Sequence, residues 1–125
     1  MPLEENVAIT DSILDSIKKL IGPGTEHNFF DADLIMHINS AFMILCQIGL
    51  GGIHPFTISD NTAKWSDFIY EEAFFRSVVD YVYLRVKLIF DPPTSSFTLN
   101  AYNDQLRELE WRLNVMAETP TWSNY

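Results

Sequence analysis

The chain has 125 residues, of which 47% are hydrophobic and 20% are charged. This is the composition of a globular protein, and the length fits a single domain, residues 1–125, whose core needs no disulfide or metal. Seventeen acidic against eight basic residues give a net charge of −9. That balance argues against binding in a groove of nucleic acid and against binding to an anionic membrane surface, because both kinds of binding need Lys and Arg.

The cysteine count and the N-terminus point to a reducing compartment. Cys46 is the only cysteine, so an internal disulfide cannot form. The first residues, Met-Pro-Leu-Glu-Glu, have neither the basic nor the apolar region of a signal peptide. The longest apolar run, residues 41–46, is far shorter than the roughly 20 residues of a membrane span.

Apolar residues at one-face helical spacing predict a first helix from about Asp11 to Ile21. Thr10 or Asp11 can cap its free N–H groups, and residues 22–24, Gly-Pro-Gly, end it. A stripe of the same kind predicts a second helix. The two stripes consist of Ile13, Leu14, Ile17, Leu20 and Ile21, and of Leu34, Ile35, Ile38, Phe42, Leu45 and Ile48.

The second helix is predicted to run from Asp31 to about Ile48, where a cluster of glycines ends it. A long loop, residues 53–64, follows because helical periodicity is lost there. Within this loop the segment 56–58, Phe-Thr-Ile, is a candidate short strand. Residues 65–69 are predicted to form a short helix, with its cap near Thr62 or Ser66.

Two longer helices complete the chain, from about Glu72 to Phe90 and from roughly Leu99 to Met116. Residues 117–125 contain a proline and several small polar side chains and are predicted to form a flexible tail. The predicted fold is therefore all-α: a small bundle of four to five helices, with its core at about residues 8–116. A long loop joins the second and third long helices.

Three groups of residues could suggest catalysis or metal binding, and each has a simpler explanation. Asp31 and Asp33 complement the positive end of a helix dipole, and with His37 they make an incomplete zinc set. The glycines of residues 49–52 follow a helix and lack the lysine of a phosphate-binding loop. Cys46 has no neighbouring base to activate it. We therefore predict no catalytic residue, no cofactor and no bound metal.

Arg85 lies in the middle of an apolar side of the third long helix, about 180° from Arg76. One explanation is an arginine that reaches to solvent or pairs within the chain. The other is that this side contacts a partner chain that supplies a carboxylate, since interfaces favour arginine beside aromatic side chains. The neighbouring residues on this side are Phe74, Val78, Tyr81 and Ile89.

The last helix has a leucine stripe, which consists of Leu106, Leu109 and Leu113. Trp111 lies roughly 160° from this stripe, on the same side as Arg107 and Val115. Tryptophan is a frequent interface anchor, so this side is a second candidate interface. The alternative is that the 53–64 loop or the tail covers Trp111.

Two aromatic residues of the tail, Trp122 and Tyr125, complete the candidate interface residues. Aromatic side chains on a flexible end can act as anchors that become ordered in a partner's groove. The alternative is that Trp122 packs back onto helices of its own chain.

The segment between the two longest helices is predicted to form a rigid corner. Pro92 and Pro93 cannot continue the helix that ends before Asp91, and they stiffen the connection. The following residues 94–96, Thr-Ser-Ser, offer caps for the next helix.

Together, several segments resemble the head–tail connector proteins (adaptor or head-completion proteins) of long-tailed bacteriophages, especially those of Gram-positive hosts. The most specific of them is Leu-Ile-Phe-Asp-Pro-Pro-Thr-Ser-Ser-Phe at residues 88–97. The resemblance covers about residues 8–116. The other matching segments are residues 11–22, 31–40, 49–52, 65–68 and 108–115.

This resemblance implies a structural protein without a catalytic motif, located at the virion neck and in the host bacterial cytoplasm during assembly. It implies a ring, usually of about twelve copies, under the portal protein, where it extends the DNA channel. Its partners would be the portal and the next head-closure or tail component, while DNA passes without specific binding and no membrane takes part. The alternative is a small bacterial helical adaptor that forms no ring; a hydrolytic or metal-dependent enzyme ranks last.

Overall fold

The computed structural model describes residues 7–22, 25 and 27–118, and this part of the chain is all-α, which confirms the predicted fold class. Five α-helices and one 3₁₀ turn follow one another along the chain. They are α1 (Ile13–Ile21), the 3₁₀ turn (Asn28–Phe30), α2 (Asp31–Gln47), α3 (Trp65–Phe68), α4 (Glu72–Phe90) and α5 (Ser96–Glu118).

The predicted caps of two helices are wrong. Helix α1 begins two residues later than predicted because Ser12 is its cap, with its Oγ accepting a hydrogen bond of 3.2 Å from the Asp15 N–H. At α3 neither Thr62 nor Ser66 is the cap; instead the Asp67 carboxylate accepts the Lys64 N–H at 2.9 Å.

The last helix is longer than the sequence indicated. Helix α5 begins three residues early because the Ser95 hydroxyl accepts the Thr98 N–H at 3.4 Å. It also includes residues 117 and 118, which were predicted to belong to the tail. The rest of the predicted tail, residues 119–125 with Trp122 and Tyr125, lies outside the described residues.

Helix α4 is the centre of the bundle, with α2 and α5 packed along it and α1 packed against both α2 and α4. Its buried residues include Phe75, Val79 and Val82, which recur at helical spacing and are fully enclosed. Helices α4 and α5 are antiparallel, because five residues join them and Tyr81 of α4 contacts Glu110 of α5. The ring of Phe30, just before α2, lies 5.2 Å from that of Phe90 at the end of α4, so α2 is also antiparallel to α4 and runs in the same direction as α5.

The long loop after α2 contains no strand, so the predicted strand at residues 56–58 is wrong. Asn39 holds this loop instead: its Nδ2 donates to the Ile58 carbonyl at 3.0 Å, and its Oδ1 accepts the Ile58 N–H at 2.8 Å. This side chain takes the place of a neighbouring strand, which is why the apolar segment stays irregular. In the described part of the chain the β-type pairing is one isolated bridge, Ser12 to Lys64.

Trp65 joins the N-terminal segment to the rest of the bundle. Its side chain is completely buried, and its indole Nε1 donates to the Ser16 hydroxyl at 3.1 Å. Its backbone N–H donates to the Asp11 carbonyl at 3.2 Å, and the next N–H, from Ser66, donates to the Ile9 carbonyl at 2.8 Å. The short helix α3 therefore fixes residues 9–16 against the core.

The segment Asn28–Gln47, which contains α2, is long and apolar enough to cross a membrane by length and composition, with a hydropathy of 1.4. One such helix is weak evidence for a membrane span. In this fold α2 uses an apolar side as core, packed against α1 and α4. Its fully buried residues are Leu34, Ile38, Ala41, Phe42 and Leu45.

Leu45 and Leu109 test the assignment of the two outer helices to the core. Both side chains are buried, as their apolar stripes predict. Alanine at either position should lower the free energy of unfolding by roughly 2–5 kcal/mol, because transfer energy is lost and a cavity remains. Denaturant unfolding measures this loss, and a change below ~1 kcal/mol at both sites would mean that these residues do not belong to the core.

Candidate assembly interface

The outer side of α5 carries an exposed stripe formed by Arg107, Trp111 and Val115, which follow one another at intervals of four residues. The Trp111 side chain is 67% exposed and that of Val115 is 40% exposed. Arg107 is also exposed and forms an ion pair with Asp104 in the same helix. The structure thus brings these three candidate residues together on one surface, which we call the α5 stripe.

The loop predicted as an alternative cover for Trp111 does not bury it. Residues 53–64 are attached to α2 through the two hydrogen bonds between Asn39 and Ile58. An indole that is two-thirds exposed on a regular helix keeps its apolar surface in water. Within the described residues it is an exposed aromatic surface of the kind that protein partners bind.

Tyr81 is placed differently from the sequence-based expectation, because α5 of the same chain covers it. Its side chain is fully buried, and its hydroxyl donates to Oε2 of Glu110 at 2.7 Å. Burial and the carboxylate of Glu110 raise the pKa of the Tyr81 phenol well above its usual value. Tyr81 is thus a neutral hydrogen-bond donor in the core, and its own side chain is not exposed to a partner chain.

Arg85 lies one helical turn from Tyr81, on the same side of α4, and is half-buried. Its positive charge acts on the Tyr81 phenol, where it opposes the rise in pKa. Among the residues that the structure describes, no carboxylate lies within ion-pair distance of Arg85. A half-buried guanidinium without a carboxylate would gain from an acidic partner group.

Phe74 is half-buried near the start of α4 and lines a groove at the end of the bundle opposite the proline corner. The groove has a volume of about 230 Å³, and we call it the terminal groove. Its walls come from the turn after α2, the α3–α4 junction and the last turn of α5. They consist of Gly49, Leu50, Gly51, Phe68, Ile69, Glu71, Phe74, Met116 and Ala117.

The predicted corner is present between α4 and α5. Asp91 ends α4, where its backbone N–H donates to the Lys87 carbonyl at 2.9 Å and its carboxylate pairs with the Lys87 ammonium at 2.7 Å. The hydrogen bond to this carboxylate raises the pKa of Lys87. Pro92 and Pro93 follow in irregular conformation before α5 begins. The corner fixes the direction in which α5, and with it the α5 stripe, runs relative to α4.

One residue that joins α5 to the end of α2 escaped the sequence analysis, and another, Gly49, was recognised only as a residue that ends a helix. The Asn114 side chain donates to the Ile48 carbonyl at 3.0 Å and so joins the end of α5 to the end of α2. Gly49 has a φ of 107°, and a Cβ placed there would lie 3.3 Å from Cβ of Ala117. An asparagine inside a helix was the available signal, because it disfavours helix interiors unless its side chain has a partner.

Two of the residues considered for catalysis or metal binding, Asp31 and Cys46, have structural partners. Asp31 pairs with Lys18 at 2.8 Å and joins α1 to α2. The Cys46 thiol lies 3.4 Å from the Gly52 carbonyl oxygen in the loop after α2. Within residues 7–22, 25 and 27–118, no three His, Cys, Asp or Glu side chains are grouped so that they could hold a metal ion.

The family model for phage connector proteins matches residues 13–120, more than four fifths of the chain. This chain belongs to the phage connector protein family. The connector is a structural head–tail connector of a bacteriophage. Neither a curated protein nor a solved structure matched the sequence significantly.

Membership in the family indicates which partners the protein has. A connector interacts with portal and tail components and is located at the virion neck. A protein with such partners needs apolar surface that is exposed in the single chain and covered in the assembly. The α5 stripe meets the first of these conditions, since it is exposed in the single chain on a regular helix.

Proposed function

We propose that the connector assembles as a ring of about twelve copies under the portal, where it extends the DNA channel and joins the head to the next head-closure or tail component. The observation that carries this proposal, beside the family match, is the α5 stripe with its exposed Trp111. The protein acts by binding other proteins and not by catalysis. Assembly takes place in the host bacterial cytoplasm, and a Gram-positive host remains a prediction.

A closed ring needs two different surfaces on each subunit, because every copy contacts one neighbour with one surface and the next with the other. The α5 stripe is one candidate, with Trp111 as its anchor. The side of α4 around Arg85 is the second, where a neighbouring copy would supply a carboxylate. The chain has 17 acidic residues, so identical copies can meet this need.

Electron microscopy of the purified connector mixed with the portal protein of the same phage tests this function. Rings stacked on the portal, with a channel through both, are the expected result. A chain that stays monomeric in the presence of the portal would instead favour a small helical adaptor. Portal decorated by single connector copies would support the head–tail role and exclude the ring.

The net charge of −9 predicts a low affinity of the connector for duplex DNA. With only eight Lys and Arg residues it makes few phosphate contacts, so duplex DNA should bind no more tightly than about millimolar at physiological salt. In a ring this acidity would surround a passage through which DNA moves without being held. Fluorescence anisotropy with a labelled duplex measures the affinity of the free chain, and micromolar binding would contradict the prediction.

A further inference from the structure

The terminal groove is an apolar site at the point where the described chain ends. Leu50 and Ile69 are buried in it, and Phe74 and Met116 are half-buried along its walls. Its volume is about 230 Å³, and a cavity of about 150 Å³ has been enough to bind benzene in another protein. The groove is therefore large enough for an aromatic side chain.

Two glycines let the walls of the groove approach each other closely. Gly51 has a φ of 91°, and a Cβ placed there would lie 2.8 Å from Cε1 of Phe68. The glycine thus lets the turn after α2 approach the Phe68 ring closely. On the other side, Ala117 in the last turn of α5 lies against Gly49. The last described turn of α5 is therefore itself a wall of the groove.

Seven residues follow Glu118, with the sequence Thr-Pro-Thr-Trp-Ser-Asn-Tyr. Although the chain is strongly acidic, none of these seven side chains is charged, so the segment can lie on an apolar surface without burying a charge. Trp122 is four residues beyond Glu118, a distance of up to about 13 Å in an extended chain. Met116, on the groove wall, lies only about 3 Å along the helix axis from Glu118. Trp122 can therefore reach the groove.

We propose that the terminal groove holds Trp122 of its own chain, with the indole ring between Phe74 and the turn after α2. A segment attached at the rim of its binding site has an effective concentration of about millimolar, above that of the same segment on a separate copy in dilute solution. Apolar surface and an amphipathic indole are complementary, and the exposed carboxylate of Glu71 is an acceptor for the indole N–H.

The three tryptophans of the chain make a direct test possible. With 5-fluorotryptophan incorporated, ¹⁹F NMR gives one resonance for each, assigned by Trp122→Phe and Trp111→Phe variants. The solvent isotope shift between H₂O and D₂O reports exposure. The fully buried Trp65 and the 67% exposed Trp111 serve as internal references. We expect the solvent isotope shift of Trp122 to be as small as that of the buried Trp65 at every protein concentration.

A matched pair of variants locates the site. Phe74→Ala should raise the solvent isotope shift of Trp122 to that of the exposed Trp111. The Trp65 resonance and the circular dichroism should stay unchanged. Phe97→Ala, an exposed phenylalanine near the start of α5, should leave Trp122 in place. The proposal is overturned if Trp122 shows the full solvent shift in the unmodified chain, if Phe74→Ala leaves it protected, or if protection appears only at high concentration. The first two of these outcomes do not depend on ring formation.

Discussion

Alanine at Trp111 should weaken the association of the connector with its ring neighbours or with the portal by more than about 2 kcal/mol, roughly thirtyfold in Kd. The reason is that the indole is two-thirds exposed in the single chain and gains most of its burial from a partner. The free energy of unfolding of the monomer should change by less than about 0.5 kcal/mol. Light scattering of the ring, or titration against the portal, measures the association.

Trp65 is the control for this prediction, since it is the same residue type in the opposite environment. Its side chain is fully buried and donates to Ser16. Alanine at Trp65 should lower the free energy of unfolding by roughly 3–5 kcal/mol. Normal association of the Trp111 variant together with a lowered melting temperature would show that Trp111 belongs to the core of the chain and not to an interface.

Replacing Arg85 by glutamate should prevent ring formation while the helix content stays the same. Arg85 is half-buried and has no carboxylate within ion-pair distance among the described residues. If a neighbouring copy supplies that carboxylate, the substitution places two negative charges together in a desolvated contact. Such repulsion costs several kcal/mol at an interface. Circular dichroism and light scattering together measure the result.

Lys19→Glu is the matched control, because it changes the net charge equally at an exposed position on α1. This variant should still assemble. Arg85→Gln, which removes the charge without reversing it, should weaken the ring without abolishing it. Unfolding of the Arg85→Glu chain would instead indicate that Arg85 supports the fold, through the nearby Tyr81 and Glu110.

The helices could be predicted from the sequence because their signals are local. Helix α4 matches its predicted bounds, Glu72 to Phe90, since apolar periodicity marks its length and a proline pair ends it. The exposure of Trp111 could also be predicted, because its angular distance from the leucine stripe is a property of one helix. These features depend on residues that are close together along the chain.

The features that sequence analysis missed depend on contacts between distant segments. Tyr81 was placed on a partner-facing side because nothing in α4 reveals that Glu110 approaches it, 29 positions away. The segment 56–58 has strand composition, but Asn39 supplies the pairing that a strand would need. The terminal groove is formed by three separate parts of the chain, so no local pattern could indicate it.

Helix α5 lies at the edge of the bundle and has few packing partners, and this affects how much stability the subunit gains on assembly. It packs along α4 and is joined to α2 at its far end by the Asn114–Ile48 hydrogen bond, which spans 66 positions. Such a peripheral element can open with a smaller free energy than global unfolding requires. A neighbour that binds the α5 stripe binds only the closed form, so its binding energy adds to the stability of the helix by mass action. If the proposed ring forms, the melting temperature should therefore rise with protein concentration, because each subunit would then be stabilised by its neighbours as by a bound ligand.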